Sequence, residues 1–233
     1  MKLSEIHMRD PFILPYEGVY YLYGTRSFHD TGFDVYTSTD LVTWSEPHSV
    51  FEGTPDFWGT MDFWAPEVHV YKGKFYMFAS FINDHTNRGT AILVADTPMG
   101  PFVPHSNGAV TPKEWMCLDG TFHLDEDGQP WMVFCHEWVQ AGDGEICAIP
   151  LTEDLRAAAG EPFLLFRASE APWCKVMHHS SGISGCVTDG PFFYRTEDGT
   201  LLCLWACFSE GGYTEAVAVS DNGDITGRFT RYY

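Results

Sequence analysis

Three carboxylates recur at matching points of one short pattern. Asp10-Pro11-Phe12-Ile13, Asp119-Gly120-Thr121-Phe122 and Asp189-Gly190-Pro191-Phe192 each open on aspartate, and Ala65-Pro66-Glu67-Val68 is a further copy without one. Glycoside hydrolysis requires two carboxyl groups flanking the scissile bond, one as acid and the other as base or nucleophile. A third nearby raises the acid's pKa by like-charge repulsion or fixes its position. An aspartate before Pro or Gly also makes turns, and any one of the three would be read that way alone. Their recurrence at equivalent positions turns the reading toward chemistry. Glu137, in Cys135-His136-Glu137-Trp138, is a second candidate for the acid.

The elements that must position these groups follow from the same repeat. Each copy runs through a few alternating apolar residues to a turn glycine, Gly18, Gly73, Gly128 or Gly199, and then into an apolar, aromatic-rich stretch. The period is roughly 55 to 70 residues, which suits a multi-stranded sheet per repeat better than a helical solenoid. In the first unit, Pro11–Tyr16, Val19–Gly24 and Phe33–Thr37 read as strands, and the other units follow suit. β-Branched and aromatic residues between Gly, Asp and Pro clusters carry that reading, and the Asp-Gly pairs at Asp127 and Asp198 are hairpin signals. Segments near Trp44, Gly100-Pro101-Phe102, Gly160–Phe163 and Gly227–Phe229 suggest a fourth, outer strand. Only Thr152–Ala159 looks helix-permissive.

Four-stranded antiparallel units repeated about an axis make a β-propeller. The expected blades are about 8–50, 62–104, 117–166 and 186–230 of a single domain spanning 1–233. In such a blade the entrance of the first strand and the loop after the second share one face. That arrangement would bring Asp10, Asp119 and Asp189 together, with the loops carrying Phe28, His29, His85, His136, Glu137, Trp138 and Tyr213 around them. Phe28, Trp64, Trp138 and Tyr213 are candidates for stacking on a sugar, and His85 for a hydroxyl contact. The loop histidines lack HxH or HExxH spacing, so no metal site is assigned.

Composition narrows the function classes. Of 233 residues, 45% are hydrophobic and 16% aromatic, which fits strand-rich packing. The net charge is −19, from 13 Lys and Arg against 32 Asp and Glu, so the basic footprint of a nucleic-acid binder is absent. Anionic membrane surfaces are disfavoured for the same reason. The seven cysteines all come at or after Cys117 without a CxxC pair, and Cys203 and Cys207 read as small core residues on one strand face. The N-terminus has no apolar signal-peptide core, so a cytoplasmic location is expected.

The ordered motifs resemble glycoside hydrolase family 43. The resemblance rests on Arg9-Asp10-Pro11-Phe12-Ile13, Phe63-Trp64-Ala65-Pro66-Glu67-Val68, Leu118-Asp119-Gly120-Thr121-Phe122 with Asp125-Glu126-Asp127-Gly128, and Thr188-Asp189-Gly190-Pro191-Phe192. Ser38-Thr39-Asp40-Leu41-Val42-Thr43-Trp44 also matches a run near the end of that family's first blade. The resemblance implies an all-β, five-bladed propeller, inversion at the anomeric carbon, and arabinan- or xylan-type substrates. Asp10 would be the general base, Asp119 the carboxylate that orients the acid, and Trp64 would stand near the sugar. The family's acid is usually a glutamate before Gly-Pro, and here that slot is Asp189. Four blades are visible, so repeat arithmetic leaves a fifth of roughly 50 residues absent, along with the histidine that the last blade usually supplies.

The expectation is therefore a glycosidase acting on arabinofuranosyl- or xylosyl-containing oligo- or polysaccharides. No cofactor is required, although a structural calcium or sodium ion near the axis is compatible with the fold. Self-association through exposed blade edges is a further expectation. The alternatives are a catalytically inactive carbohydrate-binding propeller, favoured by the aspartate in the acid slot, and an interaction scaffold without a sugar site.

Overall fold

In a computed structural model of the chain, residues 1–27 and 29–232 are described, the last of these by its backbone alone. Contacts divide the chain into two compact units, Met1–Val110 and Thr111–Tyr233.

The first unit holds two antiparallel four-stranded sheets. The first is β1 (Arg9–Tyr16), β2 (Val19–Thr25), β3 (Gly32–Ser38) and β4 (His48–Glu52). The second is β5 (Met61–Tyr71), β6 (Lys74–Asn83), β7 (Thr86–Ala95) and β8 (Val103–Pro104). Glu17-Gly18 and Lys72-Gly73 close their first hairpins in two residues, all four with positive φ, the turn whose twist matches paired strands. Period-two alternation puts Tyr23 and its cross-strand partner Val35 on one face, and both are fully buried. That face meets an aromatic cluster of Phe33, Phe51, Phe57, Phe63 and Phe81. Phe63 and Phe81 lie 4.9 Å apart, edge to face at 89°, the packing that aromatic quadrupoles favour.

The second unit repeats the plan. Its sheets are β9 (Cys117–Leu124), β10 (Pro130–His136), β11 (Glu145–Pro150) and β12 (Phe163–Arg167), then β15 (Asp189–Arg195), β16 (Leu201–Ser209), β17 (Gly212–Ser220) and β18 (Phe229–Tyr232). A one-turn helix, α1 (Trp138–Ala141), follows β10, and a short hairpin, β13 (Met177–His178) with β14 (Ser184–Gly185), links the sheets. Here small thiols replace the phenyl cluster: Cys135, Cys203 and Cys207 are fully buried beside Trp205 and Phe166. The expected core role of Cys203 and Cys207 holds. The Asp-Gly pairs do not make two-residue turns. They sit in five-residue loops, Asp125–Gln129 and Thr196–Thr200, where Gly128 and Gly199 alone take positive φ. Thr152–Ala159 is not helical; Leu155 turns with φ +59° and Leu151 bridges to Ala158. The expected outer strands appear as β4, β8, β12 and β18, each starting at or just after the predicted segment.

Every first strand carries the same interruption near its start. In β1 the pairing jumps from Arg9↔Thr25 to Phe12↔Tyr23, so two residues oppose one. The same β-bulge occupies Ala65-Pro66 in β5, Asp119-Gly120 in β9 and Gly190-Pro191 in β15. Its first residue is left-handed in all four: φ is +51° at Asp10, +46° at Ala65, +54° at Asp119 and +48° at Gly190. An L side chain there costs about 1–2 kcal/mol, so four repetitions mark a designed bend rather than a defect. The structural alignment also corrects the sequence one. Asp10 and Asp119 are equivalent, but Asp189 stands one residue earlier, level with Arg9, Trp64 and Leu118.

Candidate active site

The bend in β1 presents Asp10 at the exposed start of the strand. Its Oδ2 accepts a 2.7 Å hydrogen bond from Thr25 Oγ1, and that same hydroxyl accepts the N–H of Ala65 at 2.9 Å. Thr25 is buried at the end of β2. The bulge of β5 thus orients the hydroxyl that holds the Asp10 carboxylate, and a hydroxyl committed as acceptor to Ala65 has its proton free for Asp10. Thr25 was not singled out from the sequence; a threonine ending an apolar strand carries no signal.

One residue before Ala65 is Trp64, half-buried. The Arg88 guanidinium lies 4.3 Å from its ring centre and is held by Asp62 at 2.6 Å through Nη2 and 3.2 Å through Nε. This charge-fixed cation–π contact covers one side of the indole. Asp62 is itself left-handed, φ +53°, in a second bulge of β5. Beside it a cleft of about 530 Å³ is lined by His29, Asp30, Thr31, Thr60, Met61 and Asp62. Phe28, expected to stack on a sugar, lies outside the described residues. His85 is exposed in the tight turn between β6 and β7, its N–H donated to Asn83 Oδ1 at 2.7 Å.

In the second unit two predicted carboxylates are brought together. Asp119 Oδ2 accepts the N–H of Gly190 at 3.0 Å, so the bulge of β15 grips the aspartate at the bulge of β9. Asp189, immediately before that glycine, accepts the Tyr213 hydroxyl at Oδ2 over 2.9 Å. Burial, then Asp189, then Asp119 push the Tyr213 phenol well above its ordinary pKa, which keeps it a donor. Below them Cys135 is fully buried, and burial with the two carboxylates raises its thiol as well. Tyr213, expected from the sequence to stack on a sugar, donates its hydroxyl to Asp189.

Glu137 is only 7% exposed. It follows β10, begins α1, and donates its N–H to Met116 at 2.8 Å. Its charge bears on the Cys117 thiol, which burial has already raised. Trp138 packs edge-on to His179, centroids 6.0 Å apart, and over Gly185, where an added Cβ would come 3.4 Å from the indole. His136 is stacked on Trp115 at 4.4 Å, its ring nitrogens 2.8 Å from Glu145 and 2.9 Å from Gln140. These contacts fix the ring in a polar network with Arg167, which reaches Glu145 at 2.8 Å. Among the described residues no group of three or more His, Cys, Asp or Glu side chains is placed to hold a metal ion.

In the second unit two neighbouring carboxylates, each held by its own donor, can support acid–base chemistry, and in the first unit Asp10 takes the equivalent bulge position of its own sheet. The comparisons with known proteins agree. The family model for Glycosyl hydrolases family 43 matches residues 3–233. An endo-arabinase structure from Bacteroides thetaiotaomicron VPI-5482 is 45% identical, with a TM-score of 0.94 over 100% of this chain and 82% of that one. A thermostable family-43 glycoside hydrolase is 27% identical, with a TM-score of 0.81 over 97% of this chain and 72% of that one. The extracellular endo-alpha-(1->5)-L-arabinanase 1 of Bacillus subtilis (strain 168) is 23% identical over 141 residues, 56% of this chain. The chain spans 44% of that relative's length. The Xylosidase/arabinosidase of Bacteroides ovatus is 25% identical over 245 residues, 84% of this chain and 73% of its own. None of these matches favours the non-catalytic alternative. The bulged first strands, the four-stranded sheets and the ordered aspartates thus have one common explanation: this all-β chain carries four four-stranded blades of the β-propeller type and belongs to glycosyl hydrolase family 43.

Proposed function

We propose that the chain hydrolyses α-L-arabinofuranosyl or β-D-xylosyl linkages of arabinan- or xylan-type polysaccharides, with inversion. Asp10 is the general base that takes a proton from the attacking water, positioned by Thr25. Asp189 is the general acid that protonates the departing glycosidic oxygen. Asp119 orients that acid and opposes its ionisation by like charge. The observation that carries this reading is the joint anchoring of Asp119 and Asp189, through Gly190 N–H and Tyr213 O–H. The anchoring also favours Asp189 over Glu137 as the acid, because it couples Asp189 to the modulating carboxylate. Arabinan is the first substrate to test, since the relative with 45% identity is an endo-arabinase.

The test is turnover of linear arabinan and of aryl arabinofuranosides and xylosides, with the anomeric form of the first product read by NMR. Asp10→Asn should lower kcat by about 10²–10⁴-fold, the range for loss of one positioned acid–base group. Equal turnover by the wild type and Asp10→Asn would remove Asp10 from the mechanism. A product of retained configuration would replace the base with a nucleophile.

A further inference from the structure

The carboxylate chemistry leaves one cluster of neighbouring thiols unused, at the junction between the linker after β12 and the end of β16. We propose that Cys174 and Cys207 are an oxidisable dithiol, a modification site that closes into a disulfide. Their sulfurs lie 3.2 Å apart. The backbone holds them so. The Trp173 and Trp205 rings pack at 5.5 Å, and Lys175 N–H bonds to Phe208 O at 2.7 Å. Lys175 Nζ then reaches Glu210 at 3.3 Å. Linker residues 173–175 therefore run beside 205–208 in matched order, with the two thiols facing across the seam. Bond formation needs an approach of about 1 Å, to the usual ~2.05 Å, within reach of a side-chain rotation.

Access is asymmetric. Cys207 is fully buried, whereas Cys174 is only half-buried and meets solvent. Cys174 is thus the thiol that an external disulfide reaches, and Cys207 the one that resolves. With glutathione disulfide as oxidant, the Cys174 thiol, whose proton the contact with Cys207 and burial hold more firmly than usual, gives that proton to solvent and attacks one sulfur, which breaks its S–S bond and releases one glutathione as thiolate. Cys207 then gives up its proton and attacks Cys174 Sγ, which expels the second glutathione. Two protein thiols become one disulfide, and one glutathione disulfide becomes two glutathiones. A third thiol, Cys186, is 6% exposed and also bonds to Cys174, so it is the competitor for the resolving step.

The bond would span 33 residues of chain and clamp the linker that feeds the β13–β14 hairpin. The experiment treats the folded protein with glutathione disulfide, then unfolds it in denaturant, blocks remaining thiols with iodoacetamide and maps the peptides. The expected product links Cys174 to Cys207, raises the thermal midpoint by on the order of 10 °C and is reversed by dithiothreitol. Cys207→Ser should instead stop at glutathione on Cys174 or divert to Cys186. Because replacing the buried thiol risks the fold, Cys174→Ser is the second variant, and it should keep its remaining thiols and its midpoint unchanged by oxidant. The proposal is overturned if all seven wild-type cysteines remain alkylatable after oxidation, or if the mapped bond joins Cys174 to Cys186.

Discussion

Asp189, the proposed acid, is one methylene shorter than a glutamate would be, and the structure sets Tyr213 against it. The phenol donates to Asp189 Oδ2 at 2.9 Å, while Asp119 and the buried Cys135 face it from β9 and β10. A donor to the ionised form favours ionisation, and the neighbouring Asp119 opposes it. Replacing Tyr213 with Phe removes only the first influence, so the protonated acid persists to higher pH. The alkaline limb of the kcat/KM profile should then move up by about one pH unit, the equivalent of one hydrogen bond to a charged group. An unmoved limb in Tyr213→Phe would detach Tyr213, and with it Asp189, from proton delivery. The three aspartates were legible from the sequence because each opens a repeated motif. Thr25 and Arg88 were not, and Tyr213 was legible as a loop aromatic but not as a donor to Asp189, because each meets its partner across strands. Glu137 was legible as a carboxylate near β10, but its burial just before the α1 turn was not, since Trp-Val-Gln-Ala does not announce that turn.

The bulge is the unit of design among the elements, and it explains where sequence alignment slipped by one. The motifs align on aspartate, whereas the backbone aligns on the left-handed residue. Asp10, Ala65 and Asp119 hold that place with a Cβ, but β15 uses Gly190, which leaves no side chain to mark it. The turn glycines were legible because positive φ at Gly18, Gly73, Gly128 and Gly199 is met most cheaply by glycine. β9 carries a second consequence, for stability. His123 is 9% exposed and sits edge-on to Phe193 at 4.9 Å. Burial first, then the nearby Arg195, lower its pKa from 6.5 to about 4, against the pull of Asp125 and Asp224. Above pH 6.5 neither folded nor unfolded chain protonates it. Between 6.5 and 4 the unfolded chain binds a proton that the folded one refuses, so stability falls as the pH drops, by about 3 kcal/mol in all. Asp40, Asp198 and Asp224, whose pKa values are lowered from 3.8 by hydrogen bonds, lose their contributions at lower pH, outside most of that window. Denaturant midpoints at pH 7 and pH 5 should therefore differ strongly in the wild type and little in His123→Leu. A variant as pH-sensitive as the wild type would assign the loss to another group.

The grouping of four similar repeats into two units is a whole-molecule property that the repeat itself hides. Composition held a trace of it: all seven cysteines fall in Thr111–Tyr233, where thiols pack the core, while Met1–Val110 is packed by phenyl rings. Charge also acts at this scale. A net charge of −19 surrounds the molecule with a negative potential, felt over about 30 Å at 0.01 M salt and about 10 Å at 0.1 M. A neutral arabinan approaches without electrostatic work, whereas a xylan bearing glucuronate side groups is repelled. If both are cleaved, raising the salt across that range should lower KM several-fold for the acidic xylan and leave arabinan unchanged, with kcat constant for each. The repulsion acts on encounter and not on the bound sugar, so a change in kcat would contradict it. Identical salt responses of KM for the two polymers would mean that the negative surface is remote from the path the polysaccharide takes, and the net charge would then bear on solubility alone.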